Sequence, residues 1–307
     1  GHSAGREITT GVENTLIGGL AGDALTDADF NVAIGTYALT ADTLGSRSVA
    51  IGRSALATQN FTTATNVYNV AIGYHAGAAA TTGFSNTLLG GLAGEDLTTG
   101  NMNVAIGRNA LSSDTQGDRT VAIGRFALAT QNFTTSTDSY NVAVGMNAGT
   151  AVTTGVHNTL IGGLAGDALT DADHNVAVGE DALSSDTLGS RSVAIGRIAL
   201  FNQNFTTATD SHNTAVGYAA GTAVTNGVKN SFVGSGAGAA TNTGDFNTFI
   251  GYDTGSSNTG GSNNIIVGVG SQTATVSSDA AVGLGPNISC AAGFTTLGSG
   301  GDDIRAA

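Results

Sequence analysis

The sequence is nearly without proline and cysteine, Pro286 and Cys290 being single occurrences, and it has no tryptophan. A lone cysteine excludes an intrachain disulfide framework. Lysine is almost missing too, Lys229 standing beside nine arginines. Charged residues make up 11% of the chain, against about 25% in an ordinary globular domain. The balance that remains is acidic, with a net charge of -13. A polyanion would be repelled, so nucleic acid is excluded as a partner. No apolar run approaches the roughly 20 residues of a membrane span, so this segment is not expected to insert into a membrane. No signal peptide is recognisable. Both ends read as cut points, and the chain is expected to be a piece of a longer one.

What the chain has in quantity is glycine, 47 residues of it, without the strict three-residue period of collagen. The glycines punctuate a repeated pentad. Asn31-Val32-Ala33-Ile34-Gly35 returns at Asn69 and at Asn103, with variants such as "NTLIG" and "SVAIG" between. Taking the closing glycine as an anchor, Gly18, Gly35, Gly52, Gly73 and Gly90 are separated by 17, 17, 21 and 17 residues. The same series continues to Gly268, so the higher period is 72 residues. Beyond it the pattern loosens, with weaker anchors at Gly283 and Gly298. Residues 1–11 read as a lead-in, 12–270 as the repeat domain and 271–307 as looser C-terminal coils or a cap.

Such a repeat unit excludes helix. The Val and Ile residues are β-branched, glycine recurs, and no 3.6-residue apolar stripe forms. Two short strands per unit, joined by turns at Gly, Asn, Asp, Thr and Ser, fit instead. Stacked units form an all-β parallel β-solenoid of about 17 coils, each about 4.8 Å above the last. Within Val-Ala-Ile the side chains alternate faces. The Ile/Val column keeps its size and is expected to fill the closed interior. The Ala column changes to Leu16, Leu88, Leu160, Phe232 and Phe249, and is expected on the other, more adjustable face. A strand apolar on both faces is buried on both. The second face then needs a partner, and further copies of the same chain are the simplest supply. The Asn four places before the anchor reads as a turn residue and a stacked amide ladder.

Chemistry is sparse. Cleavage of a polysaccharide needs two carboxylates about 5–10 Å apart across one bond, and the acidic residues here recur with the coil instead of forming one unique pair. The histidines show no metal spacing. No catalytic residue and no cofactor are therefore expected. Calcium is the one ion the carboxylates suggest: "DALTDAD" places Asp23, Asp27 and Asp29, and again Asp167, Asp171 and Asp173, in oxygen-rich turns. The column five places before the anchor holds Phe30, Arg47, Tyr68, Arg119, Tyr140, Arg191 and His212. Residues so large and polar do not fit a narrow interior, so the column is expected outside, covering neighbouring coils through cation–π contacts or presenting a sugar or receptor stripe. The four-residue inserts repeat "QNFTT", and Phe61, Phe133 and Phe205 either seal the longer coil or form exposed tips.

"RSVAIGRSALA" at Arg47, "NVAIGRNALSS" at Asn103 and "RSVAIGRIALF" at Arg191 resemble the head repeats of trimeric autotransporter adhesins, the family of the Yersinia adhesin. "NTAVGYAAG" at Asn213 is similar to repeats of phage tail fibres and spikes. The resemblance covers roughly residues 12–270. It implies a left-handed, homotrimeric β-roll whose strands face the threefold axis. The family unit is usually shorter than this one, and no neck, coiled-coil stalk or membrane anchor is recognisable. A tail fibre or spike segment on a virion is thus the first reading, binding a host-surface glycan or protein receptor. The alternatives are an adhesin head on a bacterial surface and a polysaccharide-degrading tailspike.

Overall fold

In the computed structural model, which describes residues 1–298 and the backbone of Ile304–Ala306, each Val-Ala-Ile triplet is a three-residue strand. Within each unit these strands pair in parallel with their counterparts in the next coil. Val32–Ile34 pairs with Val49–Ile51, residues 17 apart, and Val49–Ile51 pairs with Val70–Ile72, residues 21 apart. No described residue is helical. The chain is an all-β parallel β-solenoid of about 17 coils. It divides into two units, Gly1–His157 and Asn158–Ala307. The first carries eight such strands, from Thr15–Ile17 to Val142–Val144. The second carries nine, from Thr159–Ile161 to Thr295–Leu297, and Ile304–Ala306 pairs antiparallel with the last.

A second strand per coil forms only in places, as two-residue pairs such as Gly45–Ser46 with Thr65–Asn66. Elsewhere the path is made of turns. Left-handed residues interrupt it up to three times per coil, as at Arg47 (φ 67), Ser54 (φ 57) and Leu56 (φ 49), and an extended stretch cannot run through them. The anchor glycine is required for a different reason. Gly35 has φ 138, and a Cβ there would lie 2.5 Å from the Gly52 carbonyl oxygen. The last coils correct the sequence reading: the glycine with this geometry is Gly285 (φ 141), whereas Gly283 lies within the strand Val282–Leu284.

The strand faces are the reverse of the expected arrangement. Ala33, Ala50, Ala71, Ala105 and Ala122 are wholly buried, as are Leu160, Phe232 and Phe249 of the same column. The flanking Val and Ile residues are half-buried or exposed on the outside. The interior keeps its volume by pairing unequal residues, not by holding one column constant. Six residues after each interior Leu or Phe stands a glycine: Gly22 after Leu16, Gly94 after Leu88, Gly238 after Phe232, Gly255 after Phe249. A Cβ at Gly94 would meet Leu88 Cδ2 at 2.8 Å, and one at Gly255 would meet Phe249 Cδ2 at 2.4 Å. In six of the alanine coils the partner position carries buried Leu39, Leu56, Leu111, Leu128, Leu183 or Leu200. After Ala71, Ala143 and Ala215 it is again glycine, and side chains of the adjoining coils fill the space, a Cβ at Gly77 meeting Leu88 Cδ1 at 2.6 Å and Leu56 Cδ2 at 3.0 Å. Close packing demands such compensation. The final coils use it too, since a Cβ at Gly283 would sit 2.1 Å from Cys290 Sγ.

The asparagine ladder forms as expected. Asn103 Oδ1 accepts from the Thr120 backbone N–H at 2.9 Å, and its Nδ2 donates to the Gly117 carbonyl at 2.8 Å. Where Ser48, Thr120 and Ser192 replace asparagine, a buried glutamine takes over the space. Gln59 Nε2 donates to Ser48 Oγ at 3.0 Å and to Asp42 Oδ2 at 2.5 Å, while Gln59 Oε1 accepts from Asn69 Nδ2 at 2.9 Å. Gln131 with Asp114 and Gln203 with Asp186 repeat the arrangement. These aspartates close the turn before the insert: Asp42 Oδ1 accepts from the N–H groups of Gly45 and Phe61. Burial pushes the Asp42 and Asp114 carboxyls above the ordinary range, and the hydrogen bonds from Gln59 and Gln131 and from nearby backbone pull the other way.

Candidate binding surfaces

The outer face of the strands is the largest uniform surface feature within each unit. In the first unit it is made of the Val, Thr, Ile and Leu residues that flank each buried strand centre. Ile17 is 57% exposed and Leu89 42%. In the second unit Ile161, Ile195, Val233, Ile250 and Leu284 lie on the same outer face, all exposed. Eight strands at about 4.8 Å spacing and about 10 Å of width make a strip of roughly 400 Å² in the first unit. A patch of that size matches the largest apolar patches of single chains, which are often functional surfaces.

Beside this face runs the column five places before the anchor, and it points outward as the sequence predicts. Phe30, Tyr68 and Tyr140 are 41%, 54% and 47% exposed, and Arg47, Arg119, Arg191 and His212 are exposed with them. The backbone there is left-handed, with φ 61 at Phe30, 67 at Arg47 and 57 at Tyr68. The coils are joined across it. Arg47 lies 4.7 Å from the Phe30 ring centroid and 6.0 Å from that of Tyr68, and Arg119 lies 5.7 Å from that of Tyr140. In the second unit Lys229 lies 5.0 Å from the Phe246 ring. The sequence reading missed the acceptors these cations meet. Arg119 pairs with Asp138, Arg191 Nε with Asp210 Oδ1 at 2.9 Å, and Arg47 Nε donates to Asn66 Oδ1 at 3.0 Å. The spacing of 19 residues, a coil length plus part of the insert, is the signal that finds them.

A second outward column follows the anchor. Arg53 lies 5.8 Å from the Tyr74 ring, and Tyr74 in turn stacks on His75 at 4.1 Å. Arg197 Nε donates to Glu180 Oε2 at 2.9 Å, and that bond holds the guanidinium above its ordinary value.

The inserts present no aromatic tip. Phe61, Phe133 and Phe205 are 8%, 6% and 6% exposed, so as surface candidates they are corrected to buried seals of the longer coils. The reason is local: the Phe61 N–H is held by buried Asp42, and the same bond fixes Phe133 to Asp114 and Phe205 to Asp186.

In the first copy the candidate calcium carboxylates are engaged separately. Asp23 accepts from the Thr40 hydroxyl, Asp27 from the Thr10 hydroxyl, and Asp29 Oδ1 from the Val12 N–H at 2.8 Å. In the second copy Asp173 N–H donates to Ser190 Oγ at 2.9 Å, and Asp171 lies exposed in the same turn. Burial, with Asp181 adding to it, raises the Asp167 carboxyl above its ordinary range. Among the described residues no three His, Cys, Asp or Glu side chains gather to hold a metal. No helix among them is long and apolar enough to cross a membrane. Neither a scan of protein-family models nor a search of curated proteins gives a match to this chain.

Proposed function

We propose that this chain is a structural and adhesive segment of a homotrimeric fibre, a left-handed β-roll whose apolar strand faces meet around a threefold axis. The uncovered strip of Val, Ile and Leu side chains on the strand faces carries this reading, since a contiguous apolar strip repeated coil after coil is the kind of surface that proteins use for contact. Once that face is occupied by sister chains, the cationic and aromatic columns beside it are the surface left to meet a receptor. The repeat places similar weak sites at regular intervals, so avidity multiplies modest affinity. The pentads favour a tail fibre or spike on a virion surface, with a host-surface glycan or protein as partner and neither a catalytic centre nor a cofactor in this segment. The alternative setting, the head of a bacterial surface adhesin, uses the same face and the same columns. Incubation of the protein with host-surface polysaccharide, followed by separation of bound and released carbohydrate, tests the proposal. Retention without fragments is expected; release of shorter fragments would replace it with the reading of a polysaccharide-degrading spike.

A further inference from the structure

We infer that Arg47, with Phe30 and Tyr68, forms a binding site for a sugar that carries an isolated carboxylate. The inference rests on the proposed role of the outward columns and names the ligand one of them takes.

The argument begins with three equivalent cations that differ in the acceptor each one meets and in the column residues beside them. Arg47, Arg119 and Arg191 occupy the same place in successive 72-residue repeats. Arg191 turns its Nε to Asp210 Oδ1 at 2.9 Å, and Arg119 is paired with Asp138. Arg47 turns the same Nε to the same loop position at 3.0 Å, but the residue there is Asn66. The geometry is retained and the counter-charge is gone. Asn66 orients the guanidinium without neutralising it. With Nε engaged, the Nη1 and Nη2 groups of Arg47 are left to grip an external carboxylate in parallel, the arrangement guanidinium favours.

The flanking groups decide what kind of carboxylate fits. Phe30 and Tyr68 stand on either side of Arg47, at 4.7 Å and 6.0 Å, and both rings are exposed, 41% and 54%. Aromatic faces carry partial negative charge and pack against C–H edges, which a pyranose ring supplies. A dense polyanion is opposed by the net charge of -13, whereas one carboxylate on an otherwise neutral sugar is not. Arg119 has a ring on one side only, Tyr140 at 5.7 Å, with Met102 in the place of Phe30, and it is neutralised by Asp138.

Isothermal titration at low salt tests this with sialyllactose, lactose and inorganic phosphate as probes. The unaltered protein is expected to bind sialyllactose at one site per chain, in preference to lactose and to phosphate. Asn66→Asp installs the residue that stands at the two other positions, so the fold tolerates it. It is expected to weaken binding roughly fivefold, the upper range for one exposed ion pair. Asp138→Asn is expected to raise the count from one site to two, the second weaker because Met102 replaces one ring. An unchanged affinity in the Asn66→Asp protein, an unchanged count in the Asp138→Asn protein, or equal binding of phosphate would each overturn the site. Those results in a protein that still sediments as several chains leave the fibre reading standing, whereas a single-chain mass removes the fibre reading and leaves the Arg47 result to be judged on its own.

Discussion

Exchanging the large and small residues of one interior pair tests the packing rule directly. Leu111 is wholly buried, and its partner across the coil, Ala105, is wholly buried too. In the preceding coil the sizes are reversed, Leu88 facing Gly94. Leu111→Gly alone removes a buried isobutyl group. Deleting a buried leucine to alanine costs about 2–5 kcal/mol. Glycine recovers about 1 kcal/mol of this, because Leu111 sits at φ 53. The net loss is about 1–4 kcal/mol. Ala105→Leu alone drives a side chain against Leu111 and costs about 1–3 kcal/mol by overpacking. The double variant reproduces the Leu88–Gly94 arrangement and is expected within about 1 kcal/mol of the parent, a coupling of about 1–7 kcal/mol, the sum of the single losses less what remains in the double. Urea denaturation followed by circular dichroism measures all four proteins. Losses that simply add would refute the shared-volume argument. A fully tolerated Ala105→Leu would place that column outside the coil, as the sequence alone suggests.

Asn103→Ala strips partners from the Thr120 N–H and the Gly117 carbonyl, and is expected to cost about 2–4 kcal/mol in thermal denaturation, and Asn103→Asp, which keeps the acceptor but sets a buried carboxylate oxygen against the Gly117 carbonyl, is expected to lose at least as much at neutral pH. Burial raises the folded-state pKa of Asp42 and Asp114 above the ordinary 3.8, so the native chain holds these protons more tightly than the unfolded one. Their contribution to stability is therefore greatest at acid pH and declines as pH climbs from that value through the raised ones; the Asp42→Asn, Asp114→Asn protein should show a flatter acid-side slope of unfolding free energy against pH. Ile51→Lys with Ile106→Lys places two charges on the outer strand face, and sedimentation is expected to show dissociation or misassembly, while a tolerated pair would mean that the face is open to water.

Much of the fold is legible because its signals are local and repeated. The Val-Ala-Ile triplet, the anchor glycine and the asparagine give the strand, its stop and its ladder in a window of five residues. The orientation of the strand was hidden because small alanine reads as adjustable when seen alone. Its meaning lies six residues away, where Leu111 answers Ala105 and Gly94 answers Leu88. The inserts left sealing and exposed tips both open for a similar reason. Phe61 sits among polar residues, and what buries it is a bond from its N–H to Asp42 on the previous coil. Outward pointing of Arg47 and Tyr68 follows from bulk, but whether an arginine is neutralised depends on position 66, 138 or 210, 19 residues further along. Columns are read easily down a repeat; contacts between columns require the coil to be closed.

The account stands on the strand faces being covered by other copies of the chain. Sedimentation equilibrium under native conditions measures that most directly. A mass near three times the 30.1 kDa of one chain is predicted. A stable species at the mass of one chain, with its Val and Ile face in water, would contradict it.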